Sequence, residues 1–133
     1  MTASKFLVAT LFTLATGLAT HDASAQQPSG VRRTDLQRHD ISIPGWETLQ
    51  VRVDIEPGKI APNHKHHGEE IIYVLEGTIL YQLAGKPPVT LKQGDVLFVP
   101  AGVVHSARNV GTDNAAELGT YIVEKGKPLV EQP

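Results

Sequence analysis

The chain has 133 residues, a net charge of −2 with histidines neutral, 20% charged and 41% hydrophobic residues. That is enough chain for one globular domain, and the basic residues form no cluster of the kind that binds nucleic acid or an anionic membrane. There is no cysteine, which excludes disulfides and thiolate metal sites, so any metal must sit on nitrogen and oxygen.

In chain order, Lys5 gives a short positive start, Phe6 to Ala19 is largely apolar, and Ala23-Ser24-Ala25 is a small-x-small cleavage site. This is the layout of a secretory signal peptide, and its apolar run is shorter than the roughly 20 residues of a spanning helix. The expectation is a signal peptide over residues 1–25 and a periplasmic or secreted protein, free of the membrane after cleavage. Residues 26–39 contain Pro28, Ser29 and Gly30 and read as a flexible lead-in. The domain itself is placed at 40–123. Leu49, Val51, Val53 and Ile55 alternate with polar residues, the period of a half-buried strand. Further strands are expected over Glu70–Leu75, Thr78–Leu83, Val89–Leu91, Val96–Val99, Val103–Val110 and Leu118–Val123, separated by turns rich in Gly and Pro. Residues 124–133 read as a coil tail. Many short strands and no helical stripe predict an all-β fold, a single small double-sheet barrel.

His64 and His66 sit two apart, so on a strand both imidazoles point to one face and Lys65 to the other. By the same parity His67 points away from His66. Glu70 follows a bend at Gly68 on a strand expected to pair next to the first, within reach of the same point. His105 arrives from a distant strand behind the Pro100–Gly102 turn. Three imidazoles and one carboxylate suit one divalent transition ion (Fe, Mn, Ni, Cu or Zn) and do not suit Ca or Mg. Taken singly these residues are weak signals, since histidine tracts on exposed loops bind metals adventitiously.

Their frame adds more. Gly58, His64, His66, Glu70 and Gly77 form one spaced motif, and Gly94, Pro100, Gly102, His105 and Asn109 a second. With both motifs the chain resembles the cupin superfamily, in its small single-domain, jelly-roll-like form. The resemblance implies that His64, His66, Glu70 and His105 are the metal ligands. The glycines and Pro100 are read as scaffold at turns, and Asn109 as a turn brace.

Strand parity then suggests pocket walls of Val51, Val53, Ile72, Val74, Leu97 and Val99, with Tyr81 or Tyr121 as a polar handle. Arg52 and Arg108 face out, no arginine is placed inside, and a small, mostly apolar or aromatic molecule is the expected ligand. Open metal positions would support an enzyme, and resemblance to the quercetinase-like dioxygenases implies oxidative chemistry; cupin isomerases and lyases share the ligands, so the reaction stays open. A non-catalytic small-ligand or metal-sensing module is the alternative, since no catalytic acid or base is evident apart from the ligands. A barrel whose metal only staples its strands is the third reading. A homodimer is expected, because edge strands need cover.

Overall fold

The structure is a computed structural model that describes residues 27–133; the expected signal peptide lies outside the described residues. Nine strands follow in chain order: β1 (Val31–Asp40), β2 (Trp46–Ile55), β3 (Ile60–His64), β4 (Gly68–Glu76), β5 (Thr78–Leu83), β6 (Val89–Lys92), β7 (Val96–Val99), β8 (His105–Asn109) and β9 (Ala115–Glu124). No helix occurs among the described residues, and so none is long and apolar enough to cross a membrane.

The strands form two antiparallel sheets, β1-β2-β9-β4-β7 and β3-β8-β5-β6. Their inner faces meet to give the expected double-sheet, jelly-roll-like barrel. The alternation in β2 does what its period requires: Leu49, Val51, Val53 and Ile55 are buried. Ile72 and Val74 of β4, Ile79 of β5 and Val99 of β7 complete the most deeply buried aliphatic core. Removing each such side chain from water contributes about 1.5–3 kcal/mol. Ala107 and Asn109 are buried and Arg108 is exposed, as the parity of β8 demands.

Two boundaries differ from the sequence reading. Val31–Asp40 is a strand and not a flexible lead-in; it pairs with β2 along nearly its whole length, with one register shift between Asp35 and Gln37. Its composition concealed it because β1 is a sheet edge on which Val31 alone is fully buried. The tail is also more than coil. Lys65 and Glu131 exchange two backbone hydrogen bonds, of 2.9 and 3.1 Å, and so fasten the C-terminus across the end of β3.

The turn glycines behave as read: Gly58, Gly77, Gly94 and Gly102 all have positive φ. Gly68 is the position where space leaves no choice. It opens β4 at φ +155°, and a Cβ there would lie 2.0 Å from the carbonyl oxygen of Ile122 on β9. Asn109 braces its turn from a fully buried position, donating to the carbonyls of Ile55 and Asp113 and accepting from the Gly111 amide, each at 2.8 Å.

Candidate metal centre

The four expected residues come together between the sheets. His64 closes β3, His105 opens β8, and the two are register partners in one sheet. Glu70 reaches in from β4 of the other sheet. The expected side-by-side pairing of the His64 and Glu70 strands is thus replaced by an approach across the barrel. The chain must change sheets between β3 and β4, and Gly68 stands at that crossing.

All four side chains are almost fully buried. The ring centroids of His64 and His105 lie 4.3 Å apart, and His66 lies 5.0 and 5.1 Å from them. One nitrogen from each ring falls within 4.8 Å of the others, a spacing at which three imidazoles could hold a single ion. Glu70 Oε2 stands 3.2 Å from Nε2 of both His66 and His105. His67 faces away, as expected, and pairs with Glu131 at 2.6 Å.

The opposite edge of each ring is equally informative. Nδ1 of His64 meets the Pro62 carbonyl at 2.7 Å, Nδ1 of His66 the Leu129 carbonyl at 2.5 Å, and Nδ1 of His105 the Val103 carbonyl at 2.9 Å. A carbonyl only accepts, so each Nδ1 must donate and carries the ring proton. In the neutral rings every Nε2 then presents a lone pair to the centre, the tautomer a metal requires. Lone pairs aimed at an ionised carboxylate repel it unless a cation lies between them. Burial, reinforced by any positive charge that reached His105, holds His64 down to about 4, which keeps it neutral at physiological pH. Burial alone pushes the Glu70 carboxyl up; donation from His105 and His66, were those rings protonated, would bring it well below the usual range, and a cation held between them would favour the same ionised form.

Three further features were not read from the sequence. Glu117 of β9 is buried beside the centre and accepts a hydrogen bond from the Tyr81 hydroxyl. Burial and the charge of Glu70 push its carboxyl well above the ordinary carboxylate range, so it holds its proton near neutral pH. Period-two parity from Tyr121 through Gly119 to Glu117 would have found it, had the strand been started at Ala115. Gly119 leaves the room this face needs: a Cβ there would lie 2.7 Å from the Tyr121 hydroxyl oxygen.

The second is Arg33 of β1, which corrects the expectation that no arginine lies inside. It lines a small inner cavity of about 10 Å³ together with His64, Glu70, His105, Glu117 and the two tyrosines. That volume is about one water-sized group. It also lines an outer cavity of about 520 Å³ that shares His64. The expected apolar walls are corrected as well. Val53 reaches the inner cavity. Val51, Ile72, Val74 and Val99 belong to the packed core, and Leu97 packs against it.

The third is the tail. The Leu129 carbonyl is the partner of His66, and Glu131 holds Lys65 and His67 on either side of it. The C-terminus is thus a strap that orients one of the imidazoles, an arrangement that strand periodicity could not reveal.

Comparison with known proteins agrees with the architecture. The cupin domain family matches residues 51–126, and the chain belongs to that family. It is 35% identical over 95 residues to germin-like protein 5-1 of Oryza sativa subsp. japonica, covering 64% of this chain and 41% of that protein. It is 38% identical over 76 residues to the oxalate-binding protein of Thermotoga maritima, covering 56% and 62% respectively. The chain therefore spans less than two thirds of either relative. Among solved structures, the DMSP lyase of Ruegeria pomeroyi superposes with a TM-score of 0.58 at 26% identity, over 64% of this chain and 42% of that one. A recombinant oxalate oxidase in complex with glycolate gives 0.64 at 24% identity, over 80% and 56%, a likeness of fold.

Proposed function

We propose that the protein is an exported, metal-dependent enzyme acting on a small organic molecule, with one divalent transition ion held by His64, His66, Glu70 and His105. The observation that carries this reading is the outward anchoring of all three Nδ1 atoms on backbone carbonyls, which leaves three Nε2 lone pairs for one shared point, two of them 3.2 Å from the buried Glu70 carboxylate. The donor set of three nitrogens and one oxygen fits Fe, Mn, Ni, Cu or Zn. Such an ion supplies Lewis acidity and open positions for a substrate or O₂.

The chain's own residues do the rest. Tyr81 and Glu117 place a proton-bearing acid beside the centre, in a cavity that otherwise admits about one small group. A buried carboxyl is costly to keep and does little for packing. That favours an enzyme over a non-catalytic binding module, the alternative reading. Oxygen-dependent chemistry of the dioxygenase type is the first to test. Small carboxylic acids join the aromatic candidates because one relative is an oxalate-binding protein and one structural neighbour binds glycolate.

A homodimer is part of the proposal. Ile71 and Tyr73 on β4 and Val96 and Phe98 on β7 are register partners and expose their side chains together at a sheet edge. A second copy would cover them.

The test is elemental analysis of the exported protein purified without a histidine tag. O₂-uptake screening against catechols, flavonols, 1,3-diketones and small carboxylic acids follows. Stoichiometric metal with turnover of one class supports the enzyme; metal with tight binding and no turnover supports the module; no metal refutes both.

A further inference from the structure

We infer that the ligand of this centre is an amphipathic monocarboxylate, larger than a two-carbon acid, whose carboxylate is held by Arg33 at the neck between the two cavities. The inference rests on the metal-centre reading above and names its substrate class.

Arg33 and His64 are the two residues that line both the outer cavity and the inner one. A molecule reaching from the outer cavity toward the inner one therefore lies against both Arg33 and His64. Arg33 Nε is buried and, among the described residues, has no hydrogen-bond partner. The other arginines of β1 and β2 are occupied: Arg32 and Arg52 pair with Asp54, and Arg38 with Glu47. Arg33 forms no ion pair of this kind among the described residues. A buried N–H without a partner is costly to the fold unless a ligand fills the position. The planar fork of a guanidinium matches a carboxylate in two parallel, charge-assisted bonds.

The outer cavity supplies the rest of the specificity. Its volume of about 520 Å³ lies within the span of small-molecule pockets and far exceeds what a two-carbon acid fills. Pro62 forms one apolar wall, and Pro128, Leu129 and Val130 of the strap form another. Asp35, two residues from Arg33 on the same strand, also faces this space. Its carboxylate disfavours a second anionic group, so one carboxylate and an apolar remainder fit better than a diacid.

The experiment is calorimetric titration of the metal-loaded protein with phenylacetate, phenylacetamide and oxalate, in the wild type and in the R33Q and R33K variants. Phenylacetate should bind the wild type at least about tenfold more tightly than its uncharged amide, the usual worth of a charge-assisted hydrogen bond. R33Q should erase that difference, and R33K should restore part of it. Oxalate should bind more weakly than phenylacetate. Equal binding of acid and amide to the wild type overturns the proposal, whether or not R33Q folds. So does an acid preference that survives in folded R33Q, or tighter binding of oxalate than of phenylacetate. Metal content measured on the same samples keeps the two readings apart. A protein without metal defeats the metal centre, whereas a metal-loaded protein indifferent to the carboxylate defeats the ligand class alone.

Discussion

Deleting Pro128–Pro133 removes no metal ligand, yet it should weaken metal binding about tenfold. The strap supplies the Leu129 carbonyl that accepts the His66 Nδ1 proton, and it holds Lys65 through backbone bonds and His67 through Glu131. Losing such a partner of a ligating histidine typically costs 10–100-fold in affinity, or about 1.4–2.7 kcal/mol. Hydrogen-bond energetics give the same scale, since an unpaired buried donor costs about 1–3 kcal/mol. The lower end applies here, because deletion also opens the outer cavity and lets water reach the exposed N–H. The assay is competition for zinc against a chromophoric chelator, with circular dichroism to verify the fold. Two point variants divide the effect. Leu129→Ala keeps the carbonyl and should change affinity less than about threefold, although stability falls from lost packing against the core. Glu131→Gln removes only half-exposed ion pairs, whose worth is about 0–1 kcal/mol, and should also stay small. Unchanged affinity in the folded truncation would refute the strap's role. An equal loss in Glu131→Gln would show that charge, and not the carbonyl, holds His66 in place.

The ligands themselves should separate cleanly from their neighbours. Alanine at His64, His66 or His105 should remove most bound metal, whereas His67→Ala should leave at least half (roughly), as measured by elemental analysis; matched losses at His66 and His67 would instead indicate a loose cluster. Glu70→Gln should weaken binding more than Glu69→Gln, since Glu69 is not among the residues that meet at the centre. Glu117→Gln keeps a neutral, hydrogen-bonding side chain next to Tyr81 and should cost less than about 1 kcal/mol in urea unfolding, while Glu117→Ala should cost about 1–3 by stranding the hydroxyl; a large loss in the glutamine variant would mean that Glu117 is ionised in the folded protein. Acid should act through His64, whose folded value of about 4 lies below its ordinary 6.5. The unfolded chain then takes up the proton first, so this stabilisation is present above pH ~6.5 and is lost as pH falls toward ~4, a change of about 3 kcal/mol. Metal release steepens the loss, because protons compete with coordination. Thermal melts with and without chelator should differ near pH ~7.5 and converge toward pH ~4, and curves that already coincide at neutral pH with metal present would uncouple the site from the fold.

What could be read from the sequence, and what could not, follows from which interactions leave a local trace. The two motifs tie each ligand to a glycine or proline turn within a few residues, so the spacing survives in one dimension and His64, His66, Glu70 and His105 meet as expected. β2 was legible for a similar reason: one face is core and the other polar, and the pattern repeats along the strand. β1 left no such trace. An edge strand needs only backbone pairing and one buried anchor, and Val31 is that anchor. Arg33 was lost with it, since its importance comes from the cavities it faces and not from any neighbour in the chain. The strap was hidden more thoroughly, because the atom that matters is a main-chain oxygen, which every residue possesses. Glu117 lies between these cases. Its parity with Tyr121 was visible, but a glutamate on an inward face argues against burial until an acid partner, here Tyr81 across the barrel, makes the position tolerable. The four residues of this centre are therefore encoded locally, whereas the groups that orient His66 and line the adjoining cavities come from three distant strands and the tail. These non-local parts are where the chemistry of this barrel can diverge from that of its relatives without disturbing either motif.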